Sequence, residues 1–178
     1  MSQGRLLQAL EAVLFAAGRA VSLKELTRVF PEHDREEIKR ALLALKDHYQ
    51  ERGVNLREVA GGFRFETRPE FAPYIRALKL GNPPRLSRAA LETLAIVAYK
   101  QPVTKAEVEA IRGVDSAGAL KALLEKGLIR ICGRKNIPGK PLLYGTTPRF
   151  LEVFGLKDLS ELPPLKELEK VLNGGDQA

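Results

Sequence analysis

The chain has 178 residues, 44% hydrophobic and 29% charged, with 29 Lys plus Arg against 22 Asp plus Glu and a formal net charge of +7. That balance excludes a disordered or membrane-embedded chain and leaves room for one ordinary domain or two small ones. A lone cysteine, Cys132, excludes an internal disulfide and a cysteine-clustered zinc site, and two histidines, His33 and His48, make a histidine metal centre improbable.

The first half opens with a helix whose Leu6, Leu7, Leu10, Val13, Leu14 and Ala17 share one face, and Gly18 stops it. Ser22-Leu23-Lys24-Glu25 reads as a capping box for a short helix ending at Phe30 before Pro31. Asp34 starts a third helix with Ile38, Ala41, Leu42, Leu45 and Tyr49 on one face. After Gly53 the period falls to two: Phe63, Phe65 and Thr67 alternate with Arg64, Glu66 and Arg68. This predicts a strand paired with 54–59 through a Gly61-Gly62 turn, followed by a helix from Pro69. Gly81-Asn82-Pro83-Pro84 then interrupts the chain near its middle, because proline lacks the N–H and the φ freedom a helix would need.

The second half repeats the order. Ser87 caps a helix to about Lys100, Pro102-Val103 is extended, and Thr104-Lys105-Ala106-Glu107 is a second capping box. Leu120, Leu123 and Leu124 mark a third helix ended by Gly127. Residues 128–134 and 141–146 read as a two-stranded ribbon with Pro138-Gly139 in its loop, and Pro148 opens a short helix. Thr67-Arg68-Pro69-Glu70-Phe71 and Thr146-Thr147-Pro148-Arg149-Phe150 share a T-x-P-x-F pattern. Three helices followed by a hairpin describe a winged helix, so the expected class is α+β with two tandem winged-helix domains. The divisions are 1–80, a linker over 81–86, a second domain over 87–157 and a tail over 158–178, where Leu165, Leu168 and Leu172 fit one helical face.

Catalytic patterns are missing from the sequence. Neither G-x-S-x-G nor H-E-x-x-H occurs, and Gly113 and Gly118 have phosphate-loop spacing without the lysine and hydroxyl that must follow. No catalytic, metal or cofactor residue is therefore expected. No apolar run of 18 residues occurs, and Met1-Ser2-Gln3-Gly4-Arg5 leads directly into an amphipathic pattern, so the expectation is a cytoplasmic protein that neither spans nor anchors in a membrane.

Charge is unevenly placed. Residues 1–80 carry 14 basic and 11 acidic groups, residues 81–160 carry 13 and 7, and residues 161–178 carry 2 and 4. The second wing concentrates the excess, making Arg130, Arg134, Lys135 and Lys140 candidates for nonspecific phosphate contact, with Arg130 and Arg134 expected on one side of their strand. Base readout is poorly supported. One recognition helix begins Asp34-Arg35-Glu36-Glu37, and the other presents chiefly Ala117, Gly118, Lys121, Ala122 and Glu125. The helix from Ser87 has only Glu92 and Thr93 polar in its middle and needs cover nearly all round. Tyr144, Phe150, Leu151 and Phe154 form a further apolar cluster, either core or docking surface.

The run Leu86-Ser87-Arg88-Ala89-Ala90-Leu91-Glu92-Thr93-Leu94-Ala95-Ile96-Val97-Ala98-Tyr99-Lys100-Gln101-Pro102-Val103-Thr104 resembles the second-domain opening of the segregation and condensation protein B family. Ile111-Arg112-Gly113-Val114, Pro138-Gly139-Lys140-Pro141, Leu143-Tyr144-Gly145-Thr146-Thr147 and Phe154-Gly155-Leu156 extend the resemblance, as does Glu161-Leu162-Pro163-Pro164-Leu165. Lys140 stands where the family more often has arginine. The resemblance implies two winged helices adapted to bind protein, and a homodimer formed largely through the first. The implied partner is the kleisin subunit, segregation and condensation protein A, which bridges the heads of an SMC ATPase. Contact with the ATPase would run through the kleisin, DNA contact would be indirect or weak, and the location would be the nucleoid. The implied role is chromosome condensation and segregation without catalysis. Tyr144, Phe150, Leu151 and Phe154 are the candidate kleisin contacts. The rival reading is a tandem winged-helix transcription regulator, which requires tight, sequence-selective DNA binding.

Overall fold

The computed structural model describes residues 3–78 and 86–164. Most of the linker and the leucine-bearing part of the tail lie outside the described residues.

In the first half, α1 (Gln3–Ala17), α2 (Leu23–Val29) and α3 (Arg35–His48) pack around one apolar cluster. Leu10, Leu14, Leu26, Ile38, Leu42 and Leu45 are fully buried there, and burial of each such side chain is worth roughly 1.5–3 kcal/mol. Helix starts are fixed locally. Ser22 Oγ accepts the Glu25 N–H, and the Glu25 carboxylate accepts the Ser22 N–H at 2.9 Å. Asp34 and Glu37 form the same reciprocal pair at the start of α3.

Strand β1 (Val21–Ser22), between α1 and α2, pairs antiparallel with β3 (Gly62–Thr67), which also pairs with β2 (Val54–Val59), in the order β1-β3-β2. The hairpin turn is one residue earlier than the sequence reading places it. Ala60 and Gly61 occupy the loop with φ of 52° and 69°, and Gly62 belongs to β3 opposite Val59. The physical reason is the third strand: a Cβ on Gly62 would lie 2.8 Å from the carbonyl carbon and oxygen of Val21. The helix expected from Pro69 is a single 3-10 turn, Pro69–Phe71, followed by α4 (Ala72–Ala77).

The second half has the same plan. α5 (Arg88–Lys100), α6 (Lys105–Arg112) and α7 (Ala117–Glu125) surround a separate cluster that includes Leu94, Val97, Leu123 and Ile129. β4 (Val103–Thr104), β5 (Ile129–Arg134) and β6 (Leu142–Thr146) form a sheet in the order β4-β6-β5, so the predicted ribbon is a three-stranded sheet. α8 (Pro148–Phe154) closes the unit, with Phe150 in the core. Each half is therefore a helix-turn-helix with a β wing, an α+β winged helix. The two clusters share no residue. The halves meet where the β2–β3 turn donates Ala60 N–H to the Leu156 carbonyl and Gly61 N–H to that of Lys157.

Candidate functional site

α5 supplies the first part of the site. Ala90, Thr93, Leu94, Val97 and Ala98 are buried against the second core. The remaining strip runs through exposed Leu91 and half-buried Ala95 and Tyr99, the last hydrogen-bonded to the Pro163 carbonyl, and becomes one wall of a groove. Phe150 and Phe154 of α8 line it from the other side, together with Leu156, Leu162 and Pro163. The groove encloses about 370 Å³ and is almost entirely apolar. Its one charged edge, Glu92, is neutralised by Arg112 at 3.2 Å and Arg88 at 3.2 Å.

The four candidate apolar contacts separate on burial. Tyr144 lies in β6 beneath the sheet and is 9% exposed, and Phe150 is 3% exposed, so both are core side chains. Leu151 is partly buried against the same core. Phe154 is 46% exposed and stacks on Phe150 with ring centroids 4.9 Å apart, so it forms the groove's lip. Leu91, 44% exposed on the facing helix, was absent from the sequence-based set. Its position on the otherwise buried α5 was the available signal.

The basic wing is less open than its sequence suggests. A β-bulge between Ile131 and Gly133 inserts Cys132 as an extra residue. Arg130 is opposite Gly145 whereas Arg134 is opposite Leu142, positions on opposite faces of β6. The expectation that Arg130 and Arg134 share a side is therefore corrected: the extra residue breaks the two-residue alternation between them. Arg134 donates to the Lys140 carbonyl at 3.0 Å, closing its own loop. Lys135 pairs with Glu107, whose carboxyl is lowered to about 2 chiefly by that lysine and then by Thr104 of the capping box. Arg130, Arg134 and Lys140 are exposed, and Lys135 is half-buried. Cys132 is an exposed free thiol, and no cluster of three metal-ligating side chains occurs among the described residues.

A second apolar trough lies on the first half, unanticipated by the sequence reading. Phe15 of α1 is 79% exposed and, with Tyr49 and Phe65, borders a cavity of about 620 Å³. Phe15 falls off the buried stripe of α1, which is why periodicity alone passed over it. Tyr49 donates its hydroxyl to Glu11, and this bond, followed by desolvation, raises the phenol above its ordinary value.

The family model for the segregation and condensation complex subunit ScpB matches residues 8–165. The segregation and condensation protein B of Moorella thermoacetica is 53% identical over 162 residues, covering 90% of this chain and 83% of that protein. That of Syntrophotalea carbinolica is 49% identical over 164 residues, covering 91% and 83%. Among solved structures, ScpB from Mycobacterium tuberculosis is 38% identical, covers 88% of this chain and 98% of its own, and has a TM-score of 0.42. A structure of a dimer of an ScpB N-terminal domain complexed with a ScpA peptide is 36% identical, covers 40% of this chain and 91% of its own, and has a TM-score of 0.38. The matched span takes in all of the second helical cluster, the first but for Leu6 and Leu7, both wings and the groove, and the chain belongs to the segregation and condensation complex subunit ScpB family.

Proposed function

We propose that this protein is a kleisin-binding, non-catalytic subunit of a bacterial SMC–kleisin complex, acting as a homodimer in chromosome condensation and segregation. Membership of the ScpB family supports the biological setting. The observation carrying the binding reading is the apolar groove between α5 and α8, with exposed Leu91 and Phe154 on its two sides. A groove with almost no polar lining suits an amphipathic segment that buries its own apolar face. We assign the units to 1–80 and 87–157, joined by 81–86.

Light-scattering mass of the protein alone and with purified ScpA tests this. The expected result is a dimer alone and a heavier, stoichiometric complex with ScpA. A monomer at micromolar concentration that takes up no ScpA refutes it. DNA contact, on this reading, is sequence-independent and made by the second wing through Arg130, Arg134 and Lys140, with Lys135 beside them. A mobility-shift series should show weak binding lost as salt rises, because released counterions drive it.

A further inference from the structure

We propose that the first wing is a latch on the end of α8, setting the angle between the two winged-helix bodies, with Arg57 and Arg64 as its positioning residues. Arg57 Nη2 donates to the Gly155 carbonyl at 2.8 Å, and Arg64 Nη2 donates to the Glu152 carbonyl at 2.8 Å. Both acceptors lie at the C-terminal end of a helix, where carbonyls carry partial negative charge and a cation is favoured. Glu66 orients the two guanidinium groups, accepting from Arg57 Nη1 at 3.2 Å and Arg64 Nε at 2.7 Å. Two main-chain bonds from Ala60 and Gly61, at 2.9 and 3.1 Å, and an ion pair between Glu58 and Lys157 at 3.2 Å complete the seam. Gly155 fits this contact for two reasons. Its φ is +65°, and a Cβ there would lie 3.1 Å from Arg57 Nη1.

This seam is directional but thin. It joins two bodies whose apolar clusters are separate, and it contains polar bonds where a permanent interface would have an apolar core. Such a contact defines an orientation while remaining breakable. Its location gives it a consequence. Val153 and Phe154 border a seam cavity together with Gly18 and Phe65. Phe154 is also the lip of the α5–α8 groove, and Phe65 also borders the trough beside Phe15. The latch therefore controls whether the two apolar surfaces are held close enough for one bound segment to reach both. The latch is independent of what fills either surface.

The chain's only cysteine, Cys132, is exposed on the second body and gives a native labelling point. A second label at Lys39→Cys, on an exposed position of α3, allows a pulsed dipolar distance measurement between the bodies. Excess unlabelled protein confines the signal to pairs within one chain. A single narrow distance distribution is expected in the parent protein, with at least a twofold broadening in R57A/R64A. Far-UV circular dichroism checks that this variant remains folded. E58K supplies an independent perturbation expected to broaden the distribution, and E58K/K157E should narrow it again by restoring the ion pair. A broad distribution in the parent, or a narrow and unshifted one in both R57A/R64A and E58K, overturns the latch. Neither measurement uses ScpA, so a failed binding reading leaves this result interpretable.

Discussion

Replacing Phe154 by alanine separates docking from folding at the α5–α8 groove. Truncating Phe150 would not, because it is 3% exposed and loss of a core phenylalanine costs about 3–5 kcal/mol of stability. Tyr144, at 9% exposure, has the same defect as a probe. Phe154 leaves 46% of its surface free. A phenylalanine offers roughly 200 Å² to burial, so about 90 Å² remains for a partner. At about 25 cal/mol per Å² this is worth roughly 2 kcal/mol, or about 30-fold in Kd. The cost to the folded protein is the outer half of one tilted aromatic pair, about 1 kcal/mol. Isothermal titration of ScpA into the parent, F154A and L91A should therefore show weakening of tens of fold for each variant. Urea midpoints should move little. Parent-like affinity in both variants, with both folded, would remove the groove from the binding surface.

Other consequences follow from single sites. Thr93 is fully buried, and its Oγ1 has no hydrogen-bond partner among the described residues. Thr93→Val should leave urea stability unchanged or raised, since it removes an unsatisfied polar atom at constant shape. Gly62→Ala should lose about 1–3 kcal/mol in urea unfolding, because its methyl group meets the β1 backbone and the sheet must part to admit it. Glu25 and Glu107 both titrate near 2 in the folded chain, Glu25 mainly through Arg19 and then Ser22. Their folded values lie below the ordinary 4.5, so their stabilisation is present above that pH and is lost as pH falls toward 2. The thermal midpoint should fall across that window, and the fall should be shallower in E25Q/E107Q.

Much of the fold was legible because its determinants are local. Capping pairs such as Ser22 with Glu25 and Thr104 with Glu107 satisfy helix N–H groups within three residues, so spacing alone announces the helix starts. The leucine stripes of α1 and α3 announce their buried faces through the 3.6-residue period. The site was less legible. Tyr144 and Phe154 are equally aromatic in sequence, yet one is beneath a sheet and the other on a lip. Tyr144 is buried through its place in β6 over the second core, whereas Phe154 stands at the end of α8, and neither placement is written in the local pattern.

The opening charge of +7 marks the same boundary. The sequence by itself determined its sign, its concentration in the second wing and the poverty of both recognition helices. Tertiary structure decided which of those charges remain available. The bulge at Cys132 sends Arg130 and Arg134 to opposite faces and Glu107 pairs with Lys135, while in the first wing Arg57 and Arg64 donate to carbonyls at the end of α8. Charge is a property of each residue alone, whereas its availability depends on neighbours brought close by folding from distant parts of the chain.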